Sequence, residues 1–234
     1  MDKQLRNQIK HDKFVEEVTH TVGYLQQHQD QVKKYCVVAA AVLVVIIGIY
    51  AFLNYRQSQR QEALRQATLV LDGFVGPQNP AGGLAYPTQS EKDAAALKAF
   101  SEVATKHNGT REGDMARYYA SIQLCDAGKL AECEAGFKQV VGSSDKNVAS
   151  LGKLSLATLY TAQKKSEQAE AIFRELVNNP TAVVSKEQAQ IGLARAIQQT
   201  KPQEAQIILK SLQGLDRPAV TRAAVGVLGE MTNP

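Results

Sequence analysis

Hydrophobic and polar positions divide this 234-residue chain into one uninterrupted apolar run and a long remainder of two-faced helices. From Cys36 to Leu53 the sequence reads CVVAAAVLVVIIGIYAFL, and with Tyr35, Asn54 and Tyr55 it makes 21 uncharged residues between Lys34 and Arg56. At about 1.5 Å per residue a helix of that length reaches roughly 30 Å, the thickness of a bilayer's hydrocarbon core. Eleven of its side chains are Val, Ile, Leu or Phe, which together favour insertion by roughly 3 to 7 kcal/mol. Tyr35, Tyr50 and Tyr55 stand near the ends, where amphipathic rings prefer the headgroup level. A core helix is rarely apolar on every side for five turns. A signal peptide has a shorter apolar stretch and a small-x-small cleavage site. Residues 35 to 55 are therefore expected to form an uncleaved transmembrane helix.

After the span the pattern repeats. Four segments share a small residue, an apolar one four later and another three after that: Ala96, Phe100, Val103; Cys133, Phe137, Val140; Ala169, Phe173, Leu176; and Ala205, Leu209, Leu212. Their first members are 37, 36 and 36 residues apart. Upstream of the middle pair lie matching helices, in which Ala120, Ser121 and Leu124 correspond to Leu156, Ala157 and Tyr160. In the last unit Leu193, Ala194 and Ile197 play the same part. Each unit reads as two antiparallel helices joined by a tight polar turn, such as Asp126-Ala127-Gly128-Lys129 or Gln163-Lys164-Lys165-Ser166. The small residue lets the two helices cross closely, and the Phe fills the space between one pair and the next. One pair cannot bury its apolar face alone, so stacking is what stabilises such a domain. These residues resemble the tetratricopeptide repeat, whose pattern appears here as Leu156, Ala157, Tyr160, Ala169 and Phe173. No unit carries that family's first-helix Trp, and Cys133 stands where its Ala is expected. The resemblance covers about residues 56 to 212 and implies an all-α fold, an α-solenoid behind one membrane helix.

The ends of the array depart from the pattern. The first unit's leading helix would run on from the span over residues 56 to 74. The Gly- and Pro-rich loop 74–90 that follows cannot be helical and reads as a flexible loop or a contact element. A final helix over 216–230 has Val220, Ala223, Ala224, Val227 and Leu228 on one side and Thr221, Arg222 and Glu230 on the other, as an end cap requires. The repeat domain thus runs over 56–234. In the tail, residues 1–34, Phe14, Val15, Val18, Val22 and Leu25 recur at helical spacing. They form either an amphipathic helix that docks on a partner or membrane surface, or a short helix that runs irregularly into the span.

Charge narrows the possibilities. The net charge of +4 comes from 27 basic and 23 acidic side chains with no clustered basic stripe, and aromatics make up 6% with no Trp. Neither a nucleic-acid footprint nor a base-stacking platform is present. Lys33 and Lys34 before the span nearly balance Arg56, Arg60 and Arg65 after it. Only the whole tail, with Lys3, Arg6, Lys10 and Lys13 added, tilts the positive-inside rule toward a cytoplasmic N-terminus.

Residues arranged for chemistry are few. His11, His20, His28 and His107 have no second ligand at i+3 or i+4 and read as solvated surface residues. Gly76 to Gly83 lacks the Lys-Ser/Thr of a phosphate cradle, and no Ser sits in a nucleophile elbow. No catalytic residue, cofactor, metal or small-molecule substrate is expected. Asn108-Gly109-Thr110 is a glycosylation sequon of a kind common by chance. Cys125 and Cys133 lie eight apart on facing helices. Outside the cytoplasm they could be bonded; in a reducing compartment they would be two small buried residues. Cys36 falls in the apolar run.

By register with the repeat, the concave face of the first helices should present Tyr118, Ile122, Leu154, Thr158 and Arg195. That groove lacks paired Lys or Arg to read a peptide carboxylate and suits an apolar segment, unless neighbouring helices of the chain cover it. The whole layout resembles the ancillary subunit of the bacterial Sec translocon, the YfgM-like family. The features shared are Val-Glu-Glu-Val and paired Lys before the span, a helix continuing at Arg56, and divergent repeats to the end. The loop 74–90 is a departure that loosens any transfer of partners. The resemblance implies a bacterial inner-membrane protein with N-terminus cytoplasmic and repeats periplasmic. It also implies a chaperone-like role in protein translocation, with Sec translocon subunits, a periplasmic chaperone or secreted chains as partners. A scaffold for cell division or envelope assembly would use the same repeats, and an enzyme with an unrecognised site is the remaining class.

Overall fold

The computed structural model describes residues 29–77 and 82–232, so the tail's expected helix lies outside the described residues up to position 28. The chain divides into two compact units between Ser58 and Gln59. Helix α1, Gln29–Leu71, runs through that division. In the first unit α1 exposes large apolar side chains on all sides, Val44 at 69% and Ile47 at 63% among them. It is long and apolar enough to cross a membrane, and none of its apolar stretch is buried against protein. At the end of that stretch the Arg56 guanidinium lies over the Phe52 ring, 5.3 Å from its centroid.

The second unit is all-α apart from one short ladder. Its further helices are α2 (Gln89–Lys106), α3 (Arg111–Asp126), α4 (Leu130–Val141), α5 (Lys146–Ala162), α6 (Ser166–Asn178), α7 (Lys186–Ile197), α8 (Pro202–Gln213) and α9 (Pro218–Thr232). Each packs against the next, and α3, α5, α7 and α9 also touch one another in order. That is the geometry of stacked helix pairs, with the first helix of each pair forming a continuous layer.

The helices begin in two ways. The first helices of the pairs are capped by side chains: Thr110 Oγ1 accepts from the Gly113 amide, Asp145 Oδ1 from Asn147 and Val148, and Ser185 Oγ from Gln188. Thr88 and Glu91 form a reciprocal capping box on α2. The second helices, α4, α6 and α8, follow Lys129, Lys165 and Lys201, none of which caps with its side chain. Before α4 and α6 the chain turns through a left-handed residue. Gly128 has φ +74° and Lys164, in the equivalent place, +59°. The amides of Lys129 and Lys165 then reach back to the Leu124 and Tyr160 carbonyls, both at 2.9 Å.

The small-apolar-apolar pattern is the core. Ala96, Cys133, Ala169 and Ala205 are wholly buried, with Phe100, Phe137, Phe173 and Leu209 buried beside them. Two apolar clusters result. One holds Ala67, Ala96, Phe100, Val103, Ala104, Ala116 and Ala120. The other runs from Cys133 and Phe137 through Tyr160, Phe173 and Leu193 to Ala224 and Val227. Helix α3 lies between them and buries Glu112, Gly113, Asp114, Ala116, Ala120 and Ser121, with no apolar side chain larger than Ala among them.

Near the start of the unit, α1 ends at Leu71, earlier than the expected 74. The loop that follows contains a two-residue parallel ladder, β1 (Phe74–Val75) on β2 (Ala85–Tyr86), which the Gly/Pro reading did not foresee. The Phe74 amide donates to the Leu84 carbonyl at 2.9 Å and the Gly76 amide to Tyr86 at 2.8 Å. His107 departs from the reading of a solvated residue. Its Nε2 is enclosed without a partner among the described residues. Burial, reinforced by Lys106 and Arg60, holds its imidazole below the usual histidine range.

Candidate partner-binding face

The first helices carry the five residues expected on the concave face, and the structure places each of them. Tyr118 and Ile122 on α3 and Leu154 on α5 are half-buried, packed on the edge of the larger core. Thr158 is exposed, with its hydroxyl returned to the Leu154 carbonyl at 2.8 Å. The Tyr118 ring meets Phe137 at 5.9 Å and Tyr119 at 5.6 Å between centroids. Its hydroxyl accepts from Ser155 Oγ at 3.3 Å, which ties α3 to α5 along this face. Arg195 on α7 is exposed, and its guanidinium donates to Glu230 Oε1 of α9 at 3.3 Å. This pair links α7 to the last helix at the end of the face.

Three further residues belong with these by register. Met115, Tyr118 and Ile122 on α3 recur 36 positions later as Leu151, Leu154 and Thr158 on α5. Ile191 and Arg195 follow on α7. Met115, Leu151 and Ile191 are all half-buried. Sequence reasoning passed over them because a half-buried apolar residue on an amphipathic helix is indistinguishable, in one sequence, from a core residue.

The charged groups of these helices are engaged elsewhere. Arg111 pairs with Asp145 at 3.1 Å, Arg117 with Asp114 at 3.1 Å and Lys153 with Glu175 at 2.6 Å. What the face offers is a mostly apolar strip from α3 to α7, uncharged as far as Ile191 and ending at Arg195, which pairs with Glu230. Two cavities lie away from it. One of about 680 Å³ is lined by residues including Ser143, Ser150, Lys153, Glu175 and Thr181; one of about 460 Å³ by residues including Asn108, Asp114, Arg117 and Ser144. None of the five expected residues lines either. Among the described residues no cluster of His, Cys, Asp and Glu is arranged to hold a metal ion.

Cys125 and Cys133 face each other across the turn between α3 and α4, with Cα atoms 5.2 Å apart. Cys133 is wholly buried and Cys125 half-buried.

No curated protein and no solved structure matches the chain. A family described as a tetratricopeptide repeat-like domain matches residues 29–205, a region that takes in the apolar helix and the stacked pairs through the start of α8. With well over half of its length matched, the chain belongs to the tetratricopeptide repeat-like domain family.

Proposed function

We propose that this protein is a membrane-anchored interaction module that holds apolar segments of other proteins against its stacked first helices. In our reading the anchor is residues 35–55 and the repeat domain stands outside the cytoplasm. It would serve as an adaptor or chaperone partner beside the bacterial secretion channel. The observation that carries this reading is the uncharged strip of Met115, Tyr118, Ile122, Leu151 and Leu154, which are half-buried rather than buried. Membership of a family built for protein binding supports a protein partner in general. The likeness of the layout to the ancillary translocon subunit supports the more specific role. Confinement by the anchor would raise the effective concentration for partners in the same membrane, so weak contacts would suffice.

The test is site-specific photo-crosslinking from Thr158 and Ile122 in native membranes, followed by mass spectrometry of the adducts. Channel subunits or chains in transit are the expected partners. Adducts confined to division or wall-synthesis proteins would replace the secretion role with that of an envelope scaffold, and adduct yields equal to those from exposed Glu167 would remove the face altogether. Sidedness is read separately, by labelling a cysteine at Ser144, an exposed position, with a membrane-impermeant maleimide. Protection of that cysteine in intact cells would overturn the orientation.

A further inference from the structure

We infer that Cys125 and Cys133 are joined as a disulfide in the mature protein, and that this bond holds α3 against α4 beside their close crossing at Ser121 and Gly136. Their Cα separation of 5.2 Å lies inside the range that a disulfide spans without moving the backbone. What sets this place apart is the make-up of α3. Helix α5 buries Val148, Leu156, Leu159 and Tyr160, and α7 buries Leu193 and Ile197. Helix α3 fully buries only small or polar side chains, its larger ones, Tyr118, Tyr119, Ile122 and Leu124, packing half-buried on the two cores. It makes its close approach to α4 at Ser121 and Gly136, where any larger side chain on α4 would strike the Ser121 hydroxyl. In the next repeat the two cysteine positions are held by Thr161 and Ala169, so the fold itself does not demand sulfur there.

The bond would form by thiol–disulfide exchange with a protein disulfide of an oxidising compartment. The half-buried Cys125 thiolate attacks the oxidant's disulfide and expels one of its sulfurs as a thiolate. The Cys133 thiolate then displaces the oxidant from the mixed disulfide. Two protons leave the cysteines, and two electrons depart with the oxidant as its dithiol. The step rests on the reading that the repeats stand outside the cytoplasm. Its consequence for function is local. Reduction would loosen Tyr118 and Ile122 on α3 and leave Leu154 and Thr158 in place, so one end of the partner-binding strip depends on redox state.

The experiment uses the full-length chain, extracted from native membranes in detergent after trapping with N-ethylmaleimide. One adduct, on Cys36, is expected before reduction and three after it, and three adducts before reduction would overturn the inference. Amide exchange is then compared between the trapped protein, its dithiothreitol-reduced form and a Cys125→Thr, Cys133→Ala variant carrying the next repeat's residues. Exchange in α3 and α4 should quicken on the order of fifty-fold, the loop-closure value for so short a ring, while α6 stays unchanged. Equal exchange in α3 with and without the bond would overturn its holding role. Should the variant fail to fold, the reduced protein gives the same readout. A Ser144 probe that labels from outside, with cysteines that stay free, would sink this inference alone; a probe protected inside would sink both it and the proposed orientation.

Discussion

Lys201 Nζ donates to both carboxylate oxygens of Glu170, at 2.6 and 2.8 Å, in the place where Lys165, one repeat earlier, reaches Glu134 at 3.3 Å. Both lysines open a second helix that no side chain caps, and both glutamates follow the small buried residue of the preceding second helix, Ala169 and Cys133. Each rung thus ties the start of one pair's second helix to the second helix of the pair before it, and the repeat spacing brings the partners together. Arg174 adds a second rung by bridging Glu170 to Glu204.

These rungs make stability depend on pH in a defined direction. Hydrogen bonds from Lys201 hold the Glu170 carboxyl below its ordinary 4.5, and those from Lys138, Tyr160 and Lys165 do the same for Glu134. A carboxyl with a depressed folded-state pKa stabilises fully above its unfolded value and loses that contribution as pH falls through the folded one. Glu134→Gln with Glu170→Gln should cost about 1 kcal/mol at pH 7 and low salt, since the lysines are half exposed and screened. In thermal melts the difference should hold to about pH 5 and shrink below it. A constant difference down to pH 3 would show that the rungs act by packing alone.

Gly192 should tolerate no side chain. A Cβ there would press into the ring of Phe173, which is 2% exposed and cannot move aside. Gly192→Ala is expected to destabilise the domain by about 2 kcal/mol. In a Phe173→Leu background the same change should cost clearly less, and denaturant midpoints across that double-mutant cycle measure the coupling.

Lys164 is the one residue other than glycine with positive φ among those described, and its counterpart in the preceding turn is Gly128. Lys164→Gly should raise stability by roughly 0.5 to 1 kcal/mol, because the left-handed backbone is unfavourable to a side chain. Lys164→Val should lower it, since a branched Cβ fits that region worst. Urea midpoints of the two variants should fall on opposite sides of the wild type.

The apolar helix makes a separate prediction. Ile46→Arg places a charge at its middle, at a cost of about 3 kcal/mol for insertion. Alkaline carbonate extraction should release a larger fraction of this variant than of the wild type or of Ile46→Leu. Equal release of all three would argue against a spanning role for this segment.

The repeat was legible because its signal is steric. A small residue where helices cross and a ring between pairs admit few substitutes, so Ala96, Phe100, Cys133, Phe137, Ala169 and Phe173 could be named from spacing and prove to be buried. The charged contacts were not legible. Glu134 and Lys165 look like any solvated pair until the stack brings them together, and Glu112 and Asp114 gave no sign that they would be buried. His107 was misjudged for the same reason, since one imidazole among polar neighbours carries no mark of enclosure. The partner-binding face falls between these cases. Periodicity located Tyr118, Ile122 and Leu154, but the engagement of Arg195 by Glu230 spans most of a repeat, and only the fold reveals it.

The meeting of two apolar clusters along a helix that belongs fully to neither has a calorimetric meaning. Cooperativity in a stacked array depends on the coupling between neighbours, and the junction between the two clusters is α3, whose fully buried side chains are all small or polar. The melt should then fit a single transition poorly, with a van't Hoff enthalpy below the measured heat. Strengthening that junction, for example by replacing Ser121 with the alanine found at the same place one repeat later, should draw the two values together.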